Sequence, residues 1–360
     1  MAVTGTQIER AIDRASEFLL LQAQKEFSEA RHDMTFPHAA GFSGASERQT
    51  SDVFARATLG SLVHDIATAD ALNGSSGELF GVARREADYI AARKLQRCHG
   101  GWSYFPDLPE LPPDADSLAA ALSLFARAAP EYVELCRAPI EMVLAGAKTD
   151  GSFETWVIAP DDPAPIRERM EWGVRWCWGV GADVDVIANF YRALDAADSA
   201  GYAAAIQRGA RMLQGAQPEN GLWEATWYAG PAYATGLCLD VLRAAGLGSE
   251  AQRRAAKALR STQRSDGSWG AAQPLPLETA FSMWVLGSTS EAAGDAAFEH
   301  GARALADLQS ADGSWPESPW IRMPIGRATG NVTRVATYQS VAITTAFCLR
   351  TLVAAQRLVQ

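Results

Sequence analysis

The sequence is poor in cysteine and lacks long runs of basic or apolar residues. Its five cysteines are odd in number and form no Cys-x-x-Cys pair, which argues against a disulfide framework. No run of about 18 or more apolar residues is present to cross a bilayer, and the N-terminus lacks the apolar core of a signal peptide. The formal net charge of −10, without a basic run, makes nucleic acid an unexpected partner. We therefore expect a cytoplasmic protein, with peripheral membrane contact left open.

Tryptophan, in contrast, is abundant, and four of the eleven tryptophans end copies of one repeat. Each copy reads Gln, three residues, Gly, one residue, Trp. The glycine permits the positive φ of a helix C-cap or a tight turn, and the glutamine amide can bond free carbonyls at helix ends. The ring then folds over neighbouring helix ends, so the repeat is expected to tie helices together. The copies are QRCHGGW (96–102), QPENGLW (217–223), QRSDGSW (263–269) and QSADGSW (309–315), with AKTDGSF (147–153) as a degenerate copy.

The repeats alternate with two kinds of helical segment. One kind is amphipathic, and the other is apolar on almost all sides, which is typical of a buried helix. The alternation occurs about six times, and strand patterns are rare. It predicts an all-α fold, an (α/α)6 toroid of six inner and six outer helices, in a single domain spanning 1–360. Two long connections, 160–182 and 319–339, break the repeat, and such loops often carry function in compact folds.

Acidic residues occur where the buried helices begin. In LPPDADSLAAAL, Asp114 and Asp116 precede Ser117 and an apolar run, and Asp183 and Asp185 form a second Asp-x-Asp pair at an equivalent helix start. Acidic residues at a helix N-terminus are favoured for capping and by the helix dipole, so position alone does not prove a catalytic role. Inner helix starts in a toroid face one end of the cavity. Both pairs are therefore expected to line one pocket.

The repeats and the segment GGWSYFPDLPELPPDADSLAAAL resemble the class II terpene cyclases, the family of the squalene–hopene cyclases. The resemblance implies a single-domain relative that needs no metal or cofactor and takes a hydrophobic isoprenoid. It implies that Asp116, the middle acid of the family's Asp-x-Asp-Asp motif, protonates an alkene or an epoxide and so starts a carbocation cyclisation. Asp114 matches the first acid of that motif and would help to keep the donor protonated. Ser117 replaces the last acid of the motif, and this change affects the strength of the donor acid. A substrate that is easier to protonate, such as an epoxide, or a loss of catalysis therefore stays open.

The same resemblance directs attention to cavity walls and to a head-group site. Aromatic rings stabilise a desolvated cation by about 2 kcal/mol each, although ordinary packing explains them as well. Arginines in the last long loop are candidates for binding an anionic head group, or form a solvated basic loop. The cavity candidates are Asp183, Asp185, Trp176, Trp178, Trp227, Tyr228, Tyr233, Glu278 and Tyr338, and the head-group candidates are Arg322, Arg327 and Arg334.

Two other interpretations stay open at this point. A chain of this fold that lost the acid would be a non-catalytic isoprenoid-binding or scaffold repeat protein. Cys98, His99 and Cys177 would be the zinc ligands if the chain resembled the lanthionine cyclases. The order of the two ligand segments, CHGG (98–101) and RWCWG (175–179), is however reversed, and Cys98 and His99 fall inside a repeat.

Overall fold

Helices make up most of the part of the chain that the computed structural model describes, residues 5–69, 74–96, 101–289, 292 and 294–359. The prediction of a mostly helical fold is confirmed. In chain order the α-helices are α1 (Gly5–Gln24), α2 (Val53–Ala67), α3 (Ser76–Ala91), α4 (Ala115–Ala128), α5 (Arg137–Ala145), α6 (Ala164–Gly173), α7 (Val184–Asp198), α8 (Ala203–Gly215), α9 (Pro231–Ala244), α10 (Ser249–Thr262), α11 (Pro276–Gly287), α12 (Ala296–Asp307) and α13 (Val341–Val359).

Six of these helices contact one another in a closed cycle. Each of them contacts the next in chain order, from α2 through α4, α7, α9 and α11 to α13, and α13 in turn contacts α2. These helices carry Ala, Leu, Val and Phe on several sides, so α4 is buried from Ala115 to Phe125. Amphipathic helices pack against them, such as α3 against α2 and α4, and α8 against α7 and α9. Burial from both directions explains why the six helices are apolar nearly all round.

The Gln-x3-Gly-x-Trp segments connect neighbouring helices through side-chain hydrogen bonds. In the last three copies the glutamine Nε2 donates to the glycine carbonyl four residues on and to a carbonyl of another helix, and the indole Nε1 donates to the end of the preceding helix. The glycines have φ of +85° or +86°, a conformation that glycine adopts without strain. The rings of all five copies are buried. In the last copy Gln309 reaches the carbonyl of Ala11, at 2.8 Å, and so ties the final repeat to α1.

Two antiparallel hairpins correct the expectation of an all-α chain. Strand β1 (His32–Thr35) pairs with β2 (Arg48–Ser51), and β3 (Pro319–Ile325) pairs with β4 (Arg334–Gln339). The second hairpin lies in the connection 319–339. Apolar and polar residues alternate only weakly there, because β3 is partly covered on both faces while β4 is largely exposed. The connection 160–182 contains α6 and a π-helical turn over Val174–Trp178.

Among the described residues, one helix is long and apolar enough to cross a membrane, Val341–Leu358 in α13. Two-thirds of that window, 67%, is buried inside the protein. Since α13 closes the cycle between α11 and α2, its apolarity is explained by its place in the core.

Candidate active site

The first turn of α4 separates the two roles that the sequence left open for its aspartates. Asp114 has extended backbone and is the N-cap residue: Oδ1 accepts the amide of Ser117 at 2.6 Å, and Oδ2 accepts the Ser117 hydroxyl at 2.9 Å. The bond to Oδ1 satisfies a free amide at the helix start. The side chain of Asp116, two residues further on, takes no part in the cap. Its carboxyl is therefore available for a different role.

Asp116 is buried and held by two hydrogen bonds from other elements. Asn189 of α7 donates to Oδ1 at 2.7 Å, and the Tyr228 hydroxyl donates to Oδ2 at 2.5 Å. Burial raises the pKa of Asp116 to about 7, with further repulsion from the carboxylates of Asp114 and Asp183, against the lowering effect of the two hydrogen bonds. A carboxyl that is protonated near neutral pH can act as a general acid.

Asp183 and Asp185 at the start of α7 complete a cluster of four acids with Asp114 and Asp116. Asp183 is paired with Arg327, whose guanidinium lies 2.5 and 3.1 Å from its two oxygens, and it also accepts hydrogen bonds from Thr155 and Trp227. Asp185 accepts the amides of Thr226 and Trp227 through Oδ2, at 3.0 and 2.8 Å.

The pKa values of the cluster follow from this arrangement. Burial raises the pKa of Asp114 to about 6. Burial, with repulsion from Asp183 and Asp116, raises the pKa of Asp185 to about 7. Burial therefore shifts three of the four acids towards their protonated form, and Asp183 has a guanidinium partner.

An apolar cavity lies against Asp116 and Asp114. Three indole rings form part of its wall: Trp156 lies 5.7 Å from Trp227 and 6.5 Å from Trp178 between ring centroids. The remaining lining residues are Phe54, Tyr104, Phe105, Leu111, Thr155, Val186, Ile321 and Met323.

The two long connections contribute Trp178, Ile321 and Met323 to the cavity wall. The indole of Trp178 donates to the carbonyl of Glu110 at 2.9 Å, and that of Trp156 donates to the carbonyl of Gly179 at 2.7 Å. Strand β3 joins the segment before α9, since the amide of Arg322 donates to the carbonyl of Trp227. These bonds fix the orientation of the rings whose faces and edges line the cavity.

Several cavity candidates lie elsewhere, and each departure has a physical cause. Trp176 is 57% exposed: it lies two residues from Trp178 on one helical turn, and residues at that spacing point to different sides. Glu278 lines another cavity together with Ser318 and Pro319. Strand β3 borders both cavities, through Pro319 on that side and through Ile321 and Met323 on the apolar side.

Of the cavity candidates, only Trp178 and Trp227 line the apolar cavity. Asp183, Asp185 and Tyr228 bond to its lining residues from behind the wall, and Tyr233 and Tyr338 lie outside it as well. Tyr233 lines a polar cavity deeper in the helix cycle, although its ring centroid is 4.5 Å from that of Tyr228. Tyr338 on β4 stacks on His32 at 4.9 Å.

The three loop arginines do not act as one group. Arg327 reaches the acidic cluster and lies 5.2 Å above the ring of Trp227. Arg322 is half-buried on β3, and Arg334 is exposed on β4. Arg322 and Arg334 do not line the apolar cavity.

Sequence reasoning missed Asn189 and Thr155, which hold Asp116 and Asp183. Asn189 follows Asp185 by four residues, so the two share one face of α7. That spacing was the available signal. Thr155 follows the degenerate repeat, where no motif marks it.

The zinc interpretation stays open, because two of its three ligands cannot be placed. Cys98 and His99 lie outside the described residues. Within the described residues, no group of three or more His, Cys, Asp or Glu side chains is placed to hold a metal ion.

Comparison with solved structures identifies the fold. The chain superposes on the type II terpene cyclase MstE from Scytonema with a TM-score of 0.70 and 20% identity, over 98% of this chain and 100% of that one. A variant of MstE in complex with geranylgeranyl dihydroxybenzoate, its substrate, gives 0.71 and 20% over 99% of both chains. The ent-copalyl diphosphate synthase from Streptomyces platensis gives 0.54 and 20%, over 84% of this chain and 50% of that one.

These likenesses show that the chain has a class II terpene cyclase-like fold. The MstE structures resemble it over nearly their whole length. No protein-family model matches the sequence, and a search of curated proteins finds no match either.

Proposed function

We propose that the protein is a class II terpene cyclase that starts cyclisation by transferring a proton from Asp116 to an alkene or an epoxide. The observation that carries the proposal is a buried carboxyl, with a pKa raised to about 7, placed at an apolar cavity walled by indole rings. Asp114 acts on the donor by repulsion while it caps α4, and Ser117 acts through that cap.

The proposed reaction conserves the atoms of the substrate. The Asp116 proton adds to a terminal alkene carbon or an epoxide oxygen, and the resulting cation is attacked by the next double bond. Loss of a proton from the final cation gives a cyclic isomer. The rings of Trp156, Trp178 and Trp227 stabilise the moving charge.

Acid strength is the main requirement, because an alkene is a very weak base. Asn189 and Tyr228 donate to the carboxylate that remains after proton transfer, and so stabilise the charged product of that step. Repulsion from the neighbouring acids favours the protonated form beforehand. Arg327 limits that repulsion, since it pairs with Asp183.

We further propose that the six-helix cycle and its outer partners form an (α/α)6 toroid in one domain of 1–360. The contacts that return from α13 to α2, and the bond from Gln309 to α1, support a closed ring. The cytoplasmic location and peripheral membrane contact remain predictions, as do head-group roles for Arg322 and Arg334.

The experiment is incubation with a panel of polyprenyl compounds that includes geranylgeranyl dihydroxybenzoate, the substrate bound in the MstE complex. We expect at least one isomeric product, detected by a change in retention at unchanged mass and identified by NMR. Asp116→Asn should abolish turnover, whereas Asp107→Asn on an exposed loop should retain it. Full activity of Asp116→Asn would refute the assignment of the acid. Tight binding without any product in the wild type would favour a non-catalytic isoprenoid-binding protein.

A further inference from the structure

A second cavity lies within the cycle of inner helices and is lined largely by polar side chains. Asn189 is one of its walls, while the amide of the same residue holds Asp116. The charged residues that line it are Arg127, Arg192, Arg350 and Asp65. The proposed cyclisation uses none of these four.

The helix period places these charges on the faces that carry the acidic cluster. On α4, Ser123 and Arg127 follow Asp116 by seven and eleven residues. On α7, Arg192 follows Asp185 by seven residues. Such spacings return to one face of a helix. On α4 and on α7, an acid therefore lies near the N-terminus and an arginine lies on the same face of the helix further along. The arginines line the second cavity.

Positive charge exceeds negative charge in this second cavity. Arg127 pairs with Asp65 at 2.8 Å, and Arg192 pairs with Asp240 at 3.0 Å. Within the described part of the chain, no carboxylate forms an ion pair with Arg350. Its guanidinium instead lies 4.8 Å from the ring centroid of Trp284. Burial lowers the pKa of Arg350, attraction to Asp65 opposes that effect in part, and repulsion from Arg192 adds to it. An anion would relieve that cost.

Unused hydroxyl donors face the same space. Ser123 is only 5% exposed and lines the cavity, and its Oγ has no hydrogen-bond partner among the described residues. Oγ of Ser61, on the facing helix α2, is likewise buried without a described partner. The site thus combines guanidinium groups with free hydroxyls. Guanidinium groups and hydroxyls together can donate to several oxygens of one anion.

We propose that this cavity binds a phosphate or diphosphate anion. Asp65 pairs with Arg127 and Asp240 pairs with Arg192, so the guanidinium of Arg350 leaves an excess of one positive charge for an anion to neutralise. The side chains of Arg127 and Arg192 remain 20% and 22% exposed, which leaves the anion a route from solvent. The inference does not depend on cyclisation, because binding is measured without turnover.

The test is titration calorimetry of the full chain with inorganic phosphate and with inorganic diphosphate, in chloride buffer at neutral pH. We expect saturable binding of at least one of them. Arg350→Gln and Ser123→Ala should each weaken it, the former by about tenfold or more, because it loses a charge-assisted hydrogen bond.

Arg211→Gln, an exposed arginine on α8, is the matched control and should bind like the wild type. Ser123→Ala keeps the test valid if Arg350→Gln fails to fold, since it changes one buried hydroxyl to a methyl group. Absence of binding of both anions to the wild type would overturn the proposal. Binding that neither cavity variant weakens would overturn it as well.

Discussion

The raised pKa of Asp116 has a consequence for stability that can be measured without a substrate. A carboxyl whose pKa rises on folding is more protonated in the folded state, so stability falls as pH increases between the two pKa values. For Asp116 that window extends from the ordinary value of 3.8 to about 7. Asp116→Asn removes the titration while keeping a similar shape. The variant should therefore gain stability relative to the wild type as pH rises through this window.

The magnitude follows from the width of the window above the starting pH. Each pH unit corresponds to about 1.4 kcal/mol, so the interval from pH 5 to pH 7 amounts to about 3 kcal/mol. Above pH 7 the difference should stay constant, because Asp116 is then ionised in both states. Groups that do not interact with Asp116 titrate alike in both proteins and cancel, whereas the repulsion from Asp116 that helps to raise the pKa of Asp185 is lost in the variant.

The assay is urea unfolding of both proteins at pH 5.0 and pH 8.5. Asp65→Asn is the control of opposite sign: burial opposes ionisation there, but Arg127 and Arg350 hold the pKa of Asp65 below its ordinary value. Its stabilising effect is complete at both pH values, so Asp65→Asn should destabilise the protein equally at each. An Asp116→Asn variant whose advantage does not grow between pH 5.0 and pH 8.5 would refute a raised pKa at Asp116.

Three further predictions concern the surroundings of the acid and the repeats. Tyr228→Phe removes a hydrogen-bond donor to the Asp116 carboxylate, so the pKa of Asp116 should rise. The alkaline limit of cyclisation should then move up by about one pH unit, and the rate below that limit should fall. A pH–rate profile that does not move would contradict this. Arg327→Met leaves the charge of Asp183 buried without its partner and should lower the free energy of unfolding by about 3 kcal/mol, against an expected change near zero if the pair is only a surface contact. Gln263→Ala removes two hydrogen bonds of 2.8 Å and should cost about 1–3 kcal/mol in urea unfolding, whereas an unchanged midpoint would show that the repeat glutamine does not link helices.

Much of the fold was predictable because the repeat is local. Gly and Trp at fixed spacing mark helix ends, and apolar helices that follow them mark burial, as α9, α11 and α13 show. The β3–β4 hairpin was not predictable, since its strands depend on contacts with the segment before α9 rather than on their own alternation.

The acidic site was predictable in part. The two Asp-x-Asp pairs do meet at neighbouring helix starts, but the sequence could not say which aspartate caps α4. That assignment depends on the backbone conformation of Asp114 and on the reach of Asn189 and Tyr228 from other elements. Trp176 and Glu278 do not line the apolar cavity, because a sequence motif does not show which way a side chain points.

Proton transfer from solvent through Asp116 is the central claim, and cyclisation in heavy water tests it most directly. A polyprenyl substrate with a terminal alkene and no epoxide, when cyclised in D2O, gains a deuteron on carbon at the protonation site and loses a proton at the end, so its mass should increase by about one unit. The account predicts this singly labelled cyclic product with the wild type and no product with Asp116→Asn. A cyclic product that carries no deuterium, or labelled product formed by Asp116→Asn, would contradict it.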